Sequence, residues 1–127
     1  MEIIGIGTEI VECVRIAQMI GEHGELFLTR VFTPEEIRYC RQRKDATEQF
    51  AALWAGKEAA LKALGIQSVK GLTWTDLEIR HGAGEQTRVC LAGAIKDHAA
   101  GAGVTEIFLS LAQCRAYATA YALAVKA

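Results

Sequence analysis

One segment of the sequence, residues 46–64, constrains the fold more than any other. Its large apolar side chains recur at helical spacing and form a single stripe on a wheel of about 100° per residue: Phe50, Leu53, Trp54, Leu61 and Leu64. Asp45-Ala46-Thr47-Glu48 before it has the pattern of a capping box, and Gly65 is a typical helix stop. We predict a long helix whose stripe faces the core.

A charged residue lies in the middle of this stripe. Lys57 would be desolvated there, which costs several kcal/mol unless an anionic group pairs with it. Glu58 lies at the edge of the stripe, and Lys62 follows one turn later on the same helix face. Two interpretations stay open. The group is an ordinary surface pair with a snorkelling lysine, or it binds Mg²⁺ through the carboxylate and phosphates through the lysines.

The N-terminus supplies a second carboxylate. We predict a short apolar strand over residues 1–6, broken by Gly5 and Gly7, and a helix over residues 10–20. Glu9 follows the glycines. Small residues at such a point are typical of a tight strand exit, but loops after strands are also where rigid scaffolds present functional carboxylates.

The remaining pattern is mixed. Thr33-Pro34-Glu35-Glu36 has the form of a capping box and predicts a helix to about residue 43. We also predict strands over 72–80 and 87–91, a helix over 92–100, and a final hairpin of strands 106–111 and 116–125. In the last strand large residues alternate with alanines, so its small face suits a packed helix. The class is α+β, a mainly antiparallel sheet packed on the long helix, in one domain of residues 1–127.

The composition excludes several functions. Fourteen Lys and Arg against 15 Asp and Glu give a net charge of −1, which argues against a nucleic-acid partner. We expect no membrane contact, because no apolar run approaches the roughly 20 residues of a membrane helix. The N-terminal residues also lack the basic stretch that precedes the apolar stretch of a secretory signal. The four cysteines are widely spaced, which favours reduced thiols over zinc ligands. Reduced thiols in turn favour a cytoplasmic protein.

Five segments occur in a diagnostic order over nearly the whole chain. They are Ile4 to Glu12 with Arg15, residues 27–33 with Glu36, the block from Trp54 to Gly65, and the predicted strands at 74–79 and 107–111. Together they resemble the holo-acyl-carrier-protein synthases, the small bacterial 4′-phosphopantetheinyl transferases. The most specific part is the aromatic-x-x-Lys-Glu-x-x-x-Lys pattern formed by Trp54, Lys57, Glu58 and Lys62.

The resemblance implies transfer of 4′-phosphopantetheine from coenzyme A to a serine of apo-acyl carrier protein, with release of adenosine 3′,5′-bisphosphate. Fatty acid biosynthesis is the expected pathway, and a polyketide or other carrier protein stays open. It implies Mg²⁺ held by Glu9 and Glu58, and Lys62 facing the phosphates and stabilising the departing bisphosphate. Glu58 and Lys62 are thus the expected catalytic residues. Lys57 would reach the pyrophosphate or a backbone partner, and Gln113 would contact coenzyme A.

The resemblance also implies the family's α+β domain, assembled as a homotrimer with active sites between neighbouring subunits. The acidic carrier protein could dock on basic side chains, or these could form a solvated face: Arg30, Arg38, Arg41, Arg43 and Lys44, across the first two helices. The general base stays open between Glu9, a water on the metal and a carboxylate of the carrier.

Three positions depart from the family pattern. Glu9 stands where the family has Asp, Leu53 where it commonly has Arg, and Gln113 where it has His. A non-catalytic paralogue that binds a carrier protein or coenzyme A without transfer is therefore the alternative.

Overall fold

The computed structural model describes residues 1–68 and 70–127. In these residues the chain forms five strands, five α-helices and two short 3₁₀ turns. Their order is β1 (Glu2–Glu12), α1 (Cys13–His23), α2 (Glu25–Val31), α3 (Pro34–Arg41), α4 (Ala46–Ala63), a 3₁₀ turn (Trp74–Asp76), β2 (Leu77–His81), a 3₁₀ turn (Ala83–Glu85), β3 (Thr87–Leu91), α5 (Gly93–Gly101), β4 (Glu106–Gln113) and β5 (Tyr117–Lys126).

The strands form two antiparallel sheets. One has the order β1-β5-β4, and the other is the hairpin of β2 and β3. The hairpin lies beside β4, where the Thr87 hydroxyl donates to the Leu109 carbonyl at 2.7 Å. The predicted α+β class with mainly antiparallel pairing is confirmed, and so are the strand at 87–91 and the hairpin of the final two strands.

Helix α4 is the centre of the fold. Its predicted stripe is buried or half-buried, but so are its alanines, which contact β1 and β5 on the opposite side. Ala118, Ala120, Ala122 and Ala124 of β5 face this helix and are all buried, as the alternation in the last strand predicts. The helix is therefore enclosed nearly all round, because small side chains let it lie close to the sheet.

The two N-terminal glycines explain how close the helix lies. A Cβ on Gly5 would overlap the backbone carbonyl of Ala63, and a Cβ on Gly7 would overlap that of Ala59. The prediction that these glycines break the first strand is wrong, since β1 continues to Glu12 and pairs with β5 on both sides of a register shift between Ile3 and Gly5. The glycines are needed for the close approach of α4, and a strand exit does not occur there.

Other boundaries also differ from prediction. Helix α1 begins at Cys13, because β1 occupies residues 10–12. The strand expected at 72–80 is shorter, because the 3₁₀ turn at Trp74–Asp76 precedes β2. Helix α2 was not predicted, although it contains the family-like segment.

The two predicted capping boxes have different outcomes. The one at Thr33 is confirmed: its hydroxyl accepts from the Glu36 amide, and Glu36 accepts from the Thr33 amide at 2.9 Å. The one at Asp45 is wrong. Its carboxylate accepts from the Gln49 side chain at 3.1 Å and caps no backbone amide of α4.

Candidate active site

Strand β1 and helix α4 bring three predicted residues together. One face of β1 meets α4. It carries Gly5, Gly7 and Glu9, because every second residue of a strand lies on the same face. On α4, Glu58 and Lys62 are one turn apart. The close approach that the glycines permit therefore sets Glu9 beside Glu58 and Lys62.

The contacts within this group are direct. The Lys62 ammonium lies 3.1 Å from the Glu9 carboxylate and donates to the Thr8 carbonyl at 3.1 Å. The Ile10 amide donates to the other oxygen of Glu9 at 3.1 Å. Glu9 and Glu58 also lie close enough for each to shift the pKa of the other. Lys62 therefore pairs with Glu9 while lying one turn from Glu58, and the snorkelling lysine of the surface-pair interpretation is wrong, since Lys57 is fully buried.

The surroundings shift the pKa values of the two carboxyls in opposite directions. Partial burial, followed by the neighbouring Glu9, raises the pKa of Glu58 to about 7. Partial burial also acts against ionisation of Glu9, but hydrogen bonds from Glu58, Lys62 and the Ile10 amide outweigh it and lower the pKa of Glu9. Two carboxyls this close cannot both ionise readily in the absence of a cation. At neutral pH Glu9 is therefore ionised, and Glu58 carries its proton in about half of the molecules.

This donor set fits Mg²⁺. The cation prefers carboxylate oxygens and is held in proteins by one or two carboxylates together with phosphates and water. Glu9 and Glu58 supply two carboxylates, and a divalent cation between them would relieve the repulsion that raises the pKa of Glu58. Among residues 1–68 and 70–127 there is no cluster of three acidic, histidine or cysteine side chains that could enclose a metal. Such a site leaves coordination positions for a substrate.

Glu58 lies between two grooves. One, of 820 Å³, also contains Glu9, Arg15 and Trp54. The other, of 620 Å³, also contains Lys62 and Trp74. A ligand that crosses from one groove to the other would pass over Glu58, which lines both, whereas Glu9 lines only the first of them.

Lys57 lies elsewhere. Its ammonium is fully buried 2.9 Å from the Glu36 carboxylate, which is also fully buried, and it donates to the Leu77 carbonyl. Of the two partners predicted for Lys57, the backbone partner is therefore the one present, and contact with coenzyme A does not fit this burial. Glu36 is the anionic partner that a lysine within this apolar stripe needs, and no local sequence pattern identifies it.

Gln113 is separated from the carboxyl pair. Within the described part of the chain, Gln113 is not among the residues that line the groove of Glu9 and Glu58. It lines a third cavity, of 970 Å³, with Arg43 and Arg88. Leu53 is 1% exposed and packs in the core, so the position that is commonly Arg in the family is apolar and enclosed here.

The candidate docking residues lie on the second and third helices and the loop after them, and not across the first two helices as predicted. Arg38 is paired with Glu35 at 2.8 Å, and Arg41 is paired with Glu25. Both pairs are exposed, so they reduce the net positive charge of this face without removing its cations.

Comparison with known proteins gives one consistent result. A family model described as the 4′-phosphopantetheinyl transferase superfamily matches residues 5–125. The holo-[acyl-carrier-protein] synthase of Rhodopirellula baltica is 50% identical over 121 residues, which are 95% of this chain and 96% of that protein. The holo-[acyl-carrier-protein] synthase of Koribacter versatilis is 42% identical over 118 residues, with 93% and 94% covered.

Solved structures agree with these sequence relatives. The crystal structure of holo-[acyl-carrier-protein] synthase from Neisseria meningitidis superposes with a TM-score of 0.88 at 28% identity, covering 98% of this chain and 99% of that one. The Helicobacter pylori holo-[acyl-carrier-protein] synthase in complex with coenzyme A has a TM-score of 0.83 at 26% identity, covering 94% and 99%.

Proposed function

This chain belongs to the 4′-phosphopantetheinyl transferase superfamily, among the holo-[acyl-carrier-protein] synthases, and from that membership we infer its reaction. It transfers the 4′-phosphopantetheine arm of coenzyme A to a serine of apo-acyl carrier protein. The serine oxygen forms a bond to the phosphorus that carries pantetheine, and adenosine 3′,5′-bisphosphate leaves. We propose that residues 1–127 form a single domain that carries out this transfer.

One observation carries the assignment of the site: Glu9, Glu58 and Lys62 meet where β1 crosses α4. We propose that the two carboxylates hold Mg²⁺, which when bound neutralises pyrophosphate charge. Lys62 is half-exposed and adjacent to both carboxylates. Its ammonium is placed to bind the phosphate oxygens beside them and to stabilise the negative charge that develops on the departing bisphosphate.

The separation of Gln113 supports a shared site. We propose that the chain forms a homotrimer in which Gln113 of one subunit contacts coenzyme A bound at Glu58 of the next. The face of the β1-β5-β4 sheet opposite α4 favours assembly, since it exposes large apolar side chains: Ile6 57%, Ile10 62%, Phe108 42% and Tyr121 60%. A contiguous apolar face of this kind is typical of a protein–protein contact.

We propose that the protein acts in the cytoplasm. No helix in the described part of the chain is long and apolar enough to cross a membrane. Its two proposed substrates, coenzyme A and apo-acyl carrier protein, are both water-soluble.

Intact-mass spectrometry tests the function directly. Apo-acyl carrier protein is incubated with this protein, coenzyme A and Mg²⁺, and a parallel sample contains EDTA. We expect the carrier to gain the mass of one phosphopantetheine arm, and the EDTA sample to show no gain. A carrier that stays unmodified while coenzyme A still binds would replace the transferase with the non-catalytic binding protein.

A further inference from the structure

Trp54 is a neighbour of the proposed metal ligand Glu58. The two residues are one helical turn apart on α4 and line the same groove. The indole N–H can only donate. Acting as a donor toward the Glu58 carboxyl, it counters part of the rise in the pKa of Glu58 that burial and Glu9 cause.

The Trp54 indole is itself held in place. It stacks on Trp74 with ring centroids 5.1 Å apart and an angle of 28° between the planes. The Phe27 ring contacts it as well, with centroids 5.8 Å apart. Aromatic pairs at such distances stabilise each other beyond simple burial. The Trp54 ring therefore has neighbours that restrict its rotation away from Glu58.

Trp74 is connected in turn to the buried ion pair. The Lys57 ammonium lies 3.4 Å from the Trp74 carbonyl oxygen and 2.9 Å from Glu36. The 3₁₀ turn that carries Trp74 is thus tied to the core by Lys57. A series of direct contacts leads from this ion pair to Trp54, which shares its groove with Glu58.

We propose that Trp54 is a positioning residue, whose indole N–H orients the Glu58 carboxylate for divalent-cation binding. This inference rests on the proposed function, because it needs Glu58 as a ligand. Groups that hydrogen-bond a metal ligand fix its orientation, and their loss typically reduces metal affinity about 10- to 100-fold. A phenylalanine at position 54 would keep a ring for stacking but would provide no donor.

Two matched variants separate the hydrogen bond from the packing. Trp54→Phe removes the N–H and retains a stacked ring, whereas Trp74→Phe changes the stack and retains the Trp54 N–H. The measurement is the Mg²⁺ concentration that gives half of the thermal stabilisation seen with coenzyme A. We expect Trp54→Phe to raise it about tenfold, and Trp74→Phe to raise it clearly less. Equal shifts in the two variants, or none, would overturn the proposal.

Kinetics provide a second readout. We expect Trp54→Phe to raise the Mg²⁺ requirement of transfer while kcat at saturating Mg²⁺ changes much less, because excess cation compensates for a misoriented ligand. A loss in kcat alone, with an unchanged Mg²⁺ requirement, would contradict a positioning role.

Tryptophan fluorescence tests the same contact with Trp54 intact. The chain contains two tryptophans, so Trp74→Phe leaves Trp54 as the single indole emitter. We expect Mg²⁺ to change its emission, and Glu58→Gln in that background to abolish the change. If Mg²⁺ leaves the Trp54 emission unchanged while the thermal assay detects binding, the proposal is overturned. This outcome can be obtained even if Trp54→Phe does not fold.

These measurements distinguish a failure of the proposed function from a failure of the proposed role of Trp54. If no phosphopantetheine is transferred but Mg²⁺ changes Trp54 emission through Glu58, the proposed function fails and the role of Trp54 stands. If transfer occurs and Trp54→Phe matches the parent in its Mg²⁺ requirement, the role of Trp54 fails and the function stands.

Discussion

The Lys57 ammonium and the Glu36 carboxylate form a 2.9 Å ion pair in which both side chains are 0% exposed. Glu36 also accepts from the Ile79 amide at 2.8 Å, so the pair joins α3, α4 and β2. Burial lowers the pKa of Lys57, and the charge and hydrogen bond of Glu36 act against that shift. Two buried charges compensate each other at the junction of three elements.

Breaking this pair should destabilise the protein strongly. We expect Lys57→Met to reduce the free energy of unfolding by about 3–5 kcal/mol, because it leaves the Glu36 charge buried and unpaired. Adding Glu36→Gln to Lys57→Met should cost much less than the sum of the single changes. Urea denaturation of the four proteins provides the comparison. Additive losses would mean that the two charges do not stabilise each other.

Stability without metal should depend on pH through Glu58. Its pKa in the folded protein, about 7, lies above the ordinary value of 4.5. Between these values the folded state binds more protons at this group than the unfolded state, so stability falls as pH rises from about 4.5 to 7. Glu9 has a lowered pKa and adds stability above 4.5 that is lost only in more acidic solution.

We therefore expect the melting temperature in EDTA to fall between pH 5 and 7 by an amount that Glu9→Gln reduces. Without the Glu9 charge, a main cause of the raised pKa of Glu58 is gone. Mg²⁺ should stabilise the parent more at pH 7.5 than at pH 5.5, since it binds the ionised pair. An equal Mg²⁺ effect at both pH values would separate the cation from these carboxyls.

Transfer should depend on the Glu58 charge. We expect Glu58→Gln to lower kcat/KM by a factor on the order of 100 or more, because the amide is a poor Mg²⁺ ligand beside Glu9. Glu2→Gln is the matched control, since it removes an exposed carboxylate at the far end of β1. Phosphopantetheine incorporation under initial-rate conditions is the assay. Comparable rates for the two variants would remove Glu58 from the site.

The close approach of α4 to β1 should tolerate no side chain at Gly7. A Cβ there would overlap the Ala59 carbonyl, which is backbone and cannot rotate away. We expect Gly7→Ala to cost more than about 2 kcal/mol of stability and to displace Glu9 from α4. Gly21→Ala is the control: in helix α1 its Cβ would meet no atom within 4 Å, and alanine favours helix. Chemical denaturation should show opposite signs for the two changes.

A site shared between subunits should permit complementation. Glu58→Gln and Gln113→Ala are each expected to lower transfer when tested alone. In a 1:1 mixture of subunits that have exchanged, about a quarter of the shared sites would combine intact Glu58 with intact Gln113. We expect activity to return toward that fraction of the parent. A mixture no more active than its components would place both residues in one subunit's site or remove Gln113 from it.

Sequence patterns predicted much of the local structure. The stop at Gly65 and the capping box at Thr33 depend on residues close in the chain, and the alternation in β5 follows the strand's own period of two; all three occur as expected. The location of Lys57 within an apolar stripe also predicted that the ammonium needs an anionic partner. Helical spacing alone determines that location.

The tertiary structure decided which distant groups meet. Glu36 is 21 positions from Lys57, and Gly5 and Gly7 meet carbonyls more than 50 positions away, so no local pattern distinguishes a core contact from a capping residue or a strand break. The same holds for Glu9: its prediction as a ligand depended on a family resemblance, whereas its position beside Glu58 depends on how closely α4 packs on β1. Sequence determines spacing along an element, but the distance between elements depends on the side chains of both, and that distance creates the site.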